Sequence, residues 1–253
     1  MKISIITATY NSEATLKSSM LSVLNQSFQN IEYVIIDGNS TDQTLELVKQ
    51  HQIQFPQIEF KILSEPDSGI YDALNKGVQL ATGEVIGFVH SDDILAENQI
   101  LSMLVSQFKK EDLHGVYGDL QYVDRHNIAA VIRYWKSNLF NASLLKKGWM
   151  PAHPTLFLKK EVYQKHGLFN VNYKIAADYD FMLRILKDDS LKFGYLPQVI
   201  TKMRVGGTSN RSIKNIIQKT KEDYRAVRSN NIGGWLVVFR KNISKLKQFS
   251  IKS

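Results

Sequence analysis

Four short apolar runs, each followed by a segment of helical periodicity, fill the first ninety residues, and no other feature constrains the fold as tightly. Lys2–Thr7 (KISIIT) reads as a β-branched, buried strand; Asn11 and Ser12 then supply cap residues, and Leu16, Met20, Val23 and Leu24 recur at helical spacing. Ile31–Ile36 (IEYVII) is a second strand, ended by Asp37-Gly38-Asn39, and Thr41 is placed to cap a helix that buries Leu45 and Val48. Ile58–Leu63 (IEFKIL) is a third strand, followed by a Pro66/Gly69 turn and a helix through Ala73, Leu74, Gly77 and Leu80; Val85–Val89 (VIGFV) is a fourth. Strands joined through helices of this length imply βαβ units and a mainly parallel sheet.

Past Glu97 the pattern loosens. A helix is expected near Ile100–Phe108, then strands over Gly115–Val123 and Ala129–Tyr134 and a Lys/Trp/Pro/His-rich stretch, Lys146–Pro154. A short helix from Lys159, a helix over Ala177–Lys187 and paired strands over Leu191–Arg204 complete this half. The expected organisation is one α/β domain over residues 1–210, divided into a regular half (1–95) and a looser half (96–210), with a helical basic extension over 211–253.

Charge separates that extension. Of the formal +8, eleven Lys and Arg stand against Glu222 and Asp223 between Arg211 and Ser253, a surplus of nine that leaves residues 1–210 close to neutral. Absence of cysteine removes disulfides, thiolate zinc sites, iron–sulfur clusters and cysteine nucleophiles. The opening apolar stretch is too short for a signal-peptide core, and no run approaches the roughly 20 apolar residues that span a bilayer. A cytoplasmic protein is expected. Its tail, where Gly234–Phe239 (GWLVVF) lies between Arg228 and Arg240-Lys241, is a candidate contact for the anionic face of a membrane. The alternative is a helix that packs Trp235, Val238 and Phe239 onto the main domain.

In an open parallel sheet, ligands bind beyond the carboxyl ends of the strands. Strand one ends in Thr9-Tyr10-Asn11, strand two in Asp37, strand three in Glu65 and Asp67, and strand four in Ser91-Asp92-Asp93. Singly these are ordinary turn residues. Together they bring several carboxylates to one rim, where a divalent cation would relieve their repulsion, and all-oxygen ligands favour Mg²⁺ or Mn²⁺. No glycine precedes Gly38, which excludes the G-x-G-x-x-G turn of dinucleotide-binding folds, and no G-x-x-x-x-G-K-[ST] loop occurs. A diphosphate would therefore be handled through a cation.

The runs ITATYNSEATL, SVLNQSF, IEYVIIDGNSTDQT, EPDSGIYDALNKG and ATGEVIGFVHSDD resemble the inverting family-two glycosyltransferases with the Rossmann-like GT-A nucleotide-sugar fold, over about Lys2–Leu95 and more weakly to Ser209. The resemblance implies roles. Thr9, Tyr10 and Asn11 match the first-strand segment bordering the nucleoside, expected to be uridine; Asp37 matches the first acid of an Asp-Asp-Gly-Ser pattern facing the base, with Gly38 in place of the second acid. Asp67 lies in the loop closing over the nucleotide. Ser91-Asp92-Asp93 matches a D-x-D-type motif, with Asp92 nearer the ribose and Asp93 on the metal–diphosphate. Ala177-Asp178-Tyr179-Asp180 resembles an E-D-x-D segment, with Ala177 replacing the glutamate, which makes Asp178 the matching base; by itself it reads equally as a helix cap.

His153 is a candidate for the acceptor or diphosphate pocket. Arg204, before Gly206-Gly207-Thr208-Ser209, either reaches the diphosphate from a flexible loop or is a solvated strand-end charge. Strand alternation points His90 away from the site, Tyr71 and Asn75 pack around the donor-site helix, and Trp135 and Trp149 are either core or sugar-stacking aromatics.

The implied function is metal-dependent transfer of a sugar from a UDP-sugar to a hydroxyl of a saccharide or lipid-linked saccharide, in bacterial surface-polysaccharide synthesis. A sugar nucleotidyltransferase is the competing enzyme, but its Gly-rich basic signature is absent from Ala8–Ser12. Nucleic-acid binding suits the tail charge, yet no recognised module or interleaved aromatics accompany it, and no nucleic-acid partner is expected.

Overall fold

In the computed structural model, which describes residues 1–206 and 213–246, β1 (Ile3–Thr9) and β2 (Ile31–Asp37) are buried along their whole length. Their side chains alternate between two cores. Ile3, Ile5, Tyr33 and Ile35 face one layer of helices, and Ile6, Ala8, Val34 and Ile36 face the other. Both faces of the sheet are covered, which is why these strands read as unbroken apolar runs. The first layer holds α1 (Glu13–Leu24), α2 (Thr44–Gln54) and α4 (Ile100–Lys110); the second holds α3 (Ile70–Leu80) and α6 (Ala177–Leu186).

The sheet runs β3-β2-β1-β4-β8-β6-β9-β5, with β3 at Glu59–Ser64, β4 at Val85–Phe88, β8 at Phe157–Lys159, β6 at Gly115–Val123, β9 at Phe193–Arg204 and β5 at Asp93–Leu95. β7 (Val131–Trp135) pairs with β6 as a hairpin, and α5 (Lys160–His166) follows β8. Strands β1 to β4 are parallel, whereas β8 and β5 run antiparallel to their neighbours. Strand order reverses at β1, between β2 and β4, and in open α/β sheets ligands bind beyond the strand ends at such a point.

Two local expectations are corrected. Residues 191–204 do not form paired strands; they form the single strand β9, parallel to β6. Its register jumps from Tyr117↔Tyr195 to Asp119↔Val199, and Pro197 sits in that irregularity, where no ladder hydrogen bond is required of it. Thr41 does not cap α2, which begins three residues later after Gln43.

The basic extension docks on the second half of the domain (96–210) through α7 (Ile213–Ser229) and α8 (Trp235–Leu246). Ala226, Val227, Val237 and Val238 join the core that contains α6. Lys241 and Asp223 form a buried ion pair at 2.7 Å, and the ammonium lies over the Tyr179 ring. Gly148, at φ +74°, is pressed against α8: a Cβ there would stand 2.6 Å from the Val237 carbonyl oxygen and the Lys241 amide nitrogen. The packing alternative is met in part: Val238 packs inward and Trp235 stacks on Tyr224, with ring centroids 4.1 Å apart, whereas Leu236, Phe239 and Ile243 stay exposed beside the outer part of Trp235, with Arg240, Lys146 and Lys147 exposed nearby. Among the described residues, no helix is long and apolar enough to cross a membrane.

Candidate active site

The four strand ends meet as expected, but their residues divide into those that build the rim and those left open. Asp37 is a builder. Its carboxylate is wholly buried and accepts hydrogen bonds from the Ser40 amide, the Ser40 hydroxyl and the Ser64 hydroxyl, fastening the β2 loop to β3. These bonds hold the acid that the resemblance sets toward the base. Asn11 adopts φ +46°, a region asparagine tolerates, and its side-chain oxygen accepts the Thr41 amide at 2.9 Å. Ser12 and Ser91 approach to 3.0 Å between hydroxyls, tying the first loop to the fourth.

The open residues begin at the outer end. Tyr10 is 63% exposed, and its ring borders Gly38. A Cβ on Gly38 would lie only 2.7 Å from Asp67 Oδ2, so glycine at 38 is what admits the Asp67 carboxylate to this lip. The acid missing at 38 is thus matched by one from the β3 loop, held by the Gly69 amide at 2.8 Å. Thr9, just inside, is buried with its hydroxyl unpartnered.

Deeper in the crevice, Asp93 starts β5 with its side chain fully buried and neither carboxylate oxygen hydrogen-bonded. Burial, and then the neighbouring charge of Asp92, push its pKa well above the usual carboxylate range, with Arg204 offsetting part of the rise. Arg204 neither projects from a loop nor points to solvent. Its guanidinium is buried and donates to the Asp92 carbonyl at 2.6 Å, the Ser18 hydroxyl at 2.9 Å and the Arg125 carbonyl at 3.2 Å. It clamps the acidic motif from behind; Gly207-Thr208-Ser209 lie outside the described residues.

Across the crevice stands Asp178, in the first turn of α6. The cap position belongs to Ala176, so Asp178 is not engaged as a cap. Asp180 is committed elsewhere, accepting from Arg184 at 3.1 Å and Asn230 at 2.9 Å. Asp178 is half-buried and accepts the Tyr71 hydroxyl at 3.2 Å. Its charge acts on His153, His90 and Tyr122.

His153, in a short 3₁₀ turn (His153–Thr155), packs its ring against Phe88, Phe169 and His90. Burial lowers its pKa to about 4, so it is neutral at pH 7 and offers a lone pair or an N–H rather than a positive charge. His90 does not point away: its ring centroid lies 6.0 Å from that of His153. Reading β4 as a strand through Val89 gave the wrong side, because the strand ends at Phe88. Tyr71 had been given only a packing role; its position in the first turn after the Asp67 loop was the available signal.

The residues suit a cation that arrives with a diphosphate. Among the described residues no three His, Asp or Glu side chains gather to cage an ion. One buried, unpartnered carboxylate is the share a protein contributes when substrate phosphates supply the other ligands, as Mg²⁺ sites commonly have it.

The model of the family described as Glycosyl transferase family 2 matches residues 4–167. A PGL/p-HBAD biosynthesis glycosyltransferase of Mycobacterium tuberculosis is 30% identical over 213 residues, covering 82% of this chain and 78% of that protein. Among solved structures, Staphylococcus aureus TarS 1–349 in complex with UDP-GlcNAc superposes with a TM-score of 0.71 at 20% identity, covering 96% of this chain and 70% of that one. The present chain covers 43% of the longer TarS chain. The mannosyltransferase PcManGT of Pyrobaculum calidifontis, in complex with GDP-Man and Mn²⁺, gives a TM-score of 0.69 at 17% identity, covering 98% and 73%. The fold is the GT-A type of these glycosyltransferases.

Proposed function

The chain belongs to glycosyl transferase family 2 and is a glycosyltransferase, and from that premise we propose that it transfers a sugar from a UDP-sugar to a hydroxyl of a saccharide or lipid-linked saccharide, with inversion. The observation that carries this reading is the presence of two carboxylates of opposite character, both acting on Tyr122: Asp93, buried and unpartnered, and Asp178, half-buried and in contact with the Tyr71 hydroxyl. Complexes of TarS with UDP-GlcNAc and of PcManGT with GDP-Man support a nucleotide-sugar donor.

The nucleoside lies at the outer lip, against Tyr10, Gly38 and Asp67, with Thr9 and Asp92 toward the ribose. The diphosphate extends inward to Asp93, beside His153. A Mg²⁺ or Mn²⁺ ion held there by Asp93 and the diphosphate would supply Lewis-acid stabilisation of the leaving group. Asp178 takes the proton of the acceptor hydroxyl as its oxygen bonds to the anomeric carbon and the bond to the diphosphate breaks. Tyr71 holds the Asp178 carboxylate in place, and Arg204 secures the Asp92-Asp93 backbone.

The exposed stripe Trp235, Leu236, Phe239 and Ile243, flanked by Lys146, Lys147 and Arg240, supports seating on an anionic membrane face, which suits a lipid-linked acceptor in surface-polysaccharide assembly. Release of UDP from a panel of UDP-sugars tests the transfer reading. Turnover that Asp178→Asn lowers by about 10²–10⁴-fold supports it, whereas a variant within a few-fold of the parent would remove Asp178 as the base. Co-sedimentation with anionic but not neutral liposomes, lost in Leu236→Glu/Phe239→Glu, is expected for the stripe.

A further inference from the structure

The segment that delivers Asp178 has its backbone tied down from two directions. On α7, Glu222 is 7% exposed and its carboxylate accepts three consecutive amides: Lys174 at 3.1 Å, Ile175 at 2.8 Å and Ala176 at 2.9 Å. Gln218, one turn earlier, donates to the same carboxylate at 3.0 Å. From α3, the Tyr71 hydroxyl donates to the Ile175 carbonyl at 2.7 Å and also contacts Asp178. Both polar groups of Ile175 are therefore held, one by each helix, three residues before Asp178.

These contacts satisfy amides that would otherwise be orphaned at the entrance to α6. A carboxylate receiving several N–H donors forms strong, charge-assisted bonds. Burial pushes the Glu222 pKa up, but the backbone amides and Gln218 outweigh it and hold the group below its ordinary range, so it is anionic at neutral pH. Geometry matters more than charge. Asp178 sits in the first turn, where its direction follows the three preceding residues, and a displacement of about 1 Å in a reacting group can cost 10²-fold in rate.

We propose that Glu222 is a positioning residue for sugar transfer: from the C-terminal extension, it fixes residues 174–176 so that the Asp178 carboxylate faces the acceptor hydroxyl. The proposal rests on the reading of Asp178 as the base. It assigns the extension a part in the reaction and explains why an acid stands at 222 in the most basic stretch of the chain.

The test uses full-length protein and single-turnover rates. Glu222→Gln keeps the volume but places an amide where only acceptors fit. Its kcat should fall about 10–100-fold, the range for loss of a supporting shell, with the KD for UDP unchanged. In an Asp178→Asn background the same substitution should cost less than about twofold, because the group it orients is no longer a base. Gln218→Ala, which loosens Glu222 without removing its charge, should give a smaller, few-fold loss with the same non-additivity, and decides the matter should Glu222→Gln not fold. Parental kcat in Glu222→Gln, or an equal loss in both backgrounds, would overturn the proposal and leave Glu222 as a stabilising contact alone. An active Asp178→Asn single variant would overturn the base reading, and the proposal with it, by a separate measurement.

Discussion

Glu32 and Asp93 are both fully buried in this sheet, at opposite ends, and their surroundings differ completely. Glu32 opens β2 at the amino-terminal edge, where it meets Lys61 at 2.8 Å, Lys2 at 3.2 Å, the Ser4 hydroxyl, and both the amide and the hydroxyl of Thr82. Asp93 lies at the carboxyl edge with no partner for either oxygen. Burial opposes ionisation in both. At Glu32 the hydrogen bonds and lysines overcome it and hold the acid well below its usual range; at Asp93 nothing overcomes it. A buried charge that is fully partnered serves the fold, and one left unpartnered marks where an incoming group is needed.

Exchanging the charge at each end should therefore break the molecule in different ways. Asp93→Asn should lower turnover by about 10³-fold, the scale of several kcal/mol of leaving-group stabilisation, while the ligand-free protein stays at least as stable as the parent in thermal melts. Glu32→Gln should do the reverse. It leaves two lysines without their shared acid and sets an amide against the Thr82 donor, a loss of about 3 kcal/mol, with kcat per folded molecule unchanged. Loss of stability in Asp93→Asn, or of kcat in Glu32→Gln, would mean the two ends are not separate in role.

Acid should sharpen the contrast at smaller amplitude. Because the folded-state pKa of Glu32 lies below its unfolded value, its stabilisation is fully present above about pH 4.5 and is lost as pH falls below that value toward the folded pKa. Denaturant midpoints measured downward from pH 5 should decline less steeply in Glu32→Gln than in the parent. An identical decline would place the acid-sensitive contact elsewhere.

The same contrast explains what was legible in the sequence. Residues 1–95 follow local rules, with apolar runs, helical periodicity and strand-end acids in order, so the sheet and the Ser91-Asp92-Asp93 rim could be read directly. Contacts that complete the site are long-range. Arg204 reaches Asp92 across 112 residues, and Tyr71 reaches Asp178 across 107; nothing local in either segment announces the partner. The bonds of Asp37 to Ser40 and Ser64 were hidden for a related reason, since a strand-end acid looks the same in sequence whatever it binds. Proline seldom sits inside a strand, and only the pairing of residues 193–204 with β6 shows the irregularity that admits Pro197 to a single one.

In the proposed reaction the buried Asp93 carboxylate is completed by a cation that arrives with the donor diphosphate. Thermal melts of the parent and Asp93→Asn with Mn²⁺ alone, UDP in EDTA, and UDP with Mn²⁺ address it most directly, since a ligand that binds only the folded state raises the melting temperature by mass action. UDP and Mn²⁺ together should stabilise the parent by more than the sum of their separate shifts, and Asp93→Asn should abolish the excess while keeping any shift from UDP in EDTA. Equal stabilisation of the parent by UDP in EDTA and in Mn²⁺, or a cooperative excess that survives in Asp93→Asn, would contradict it.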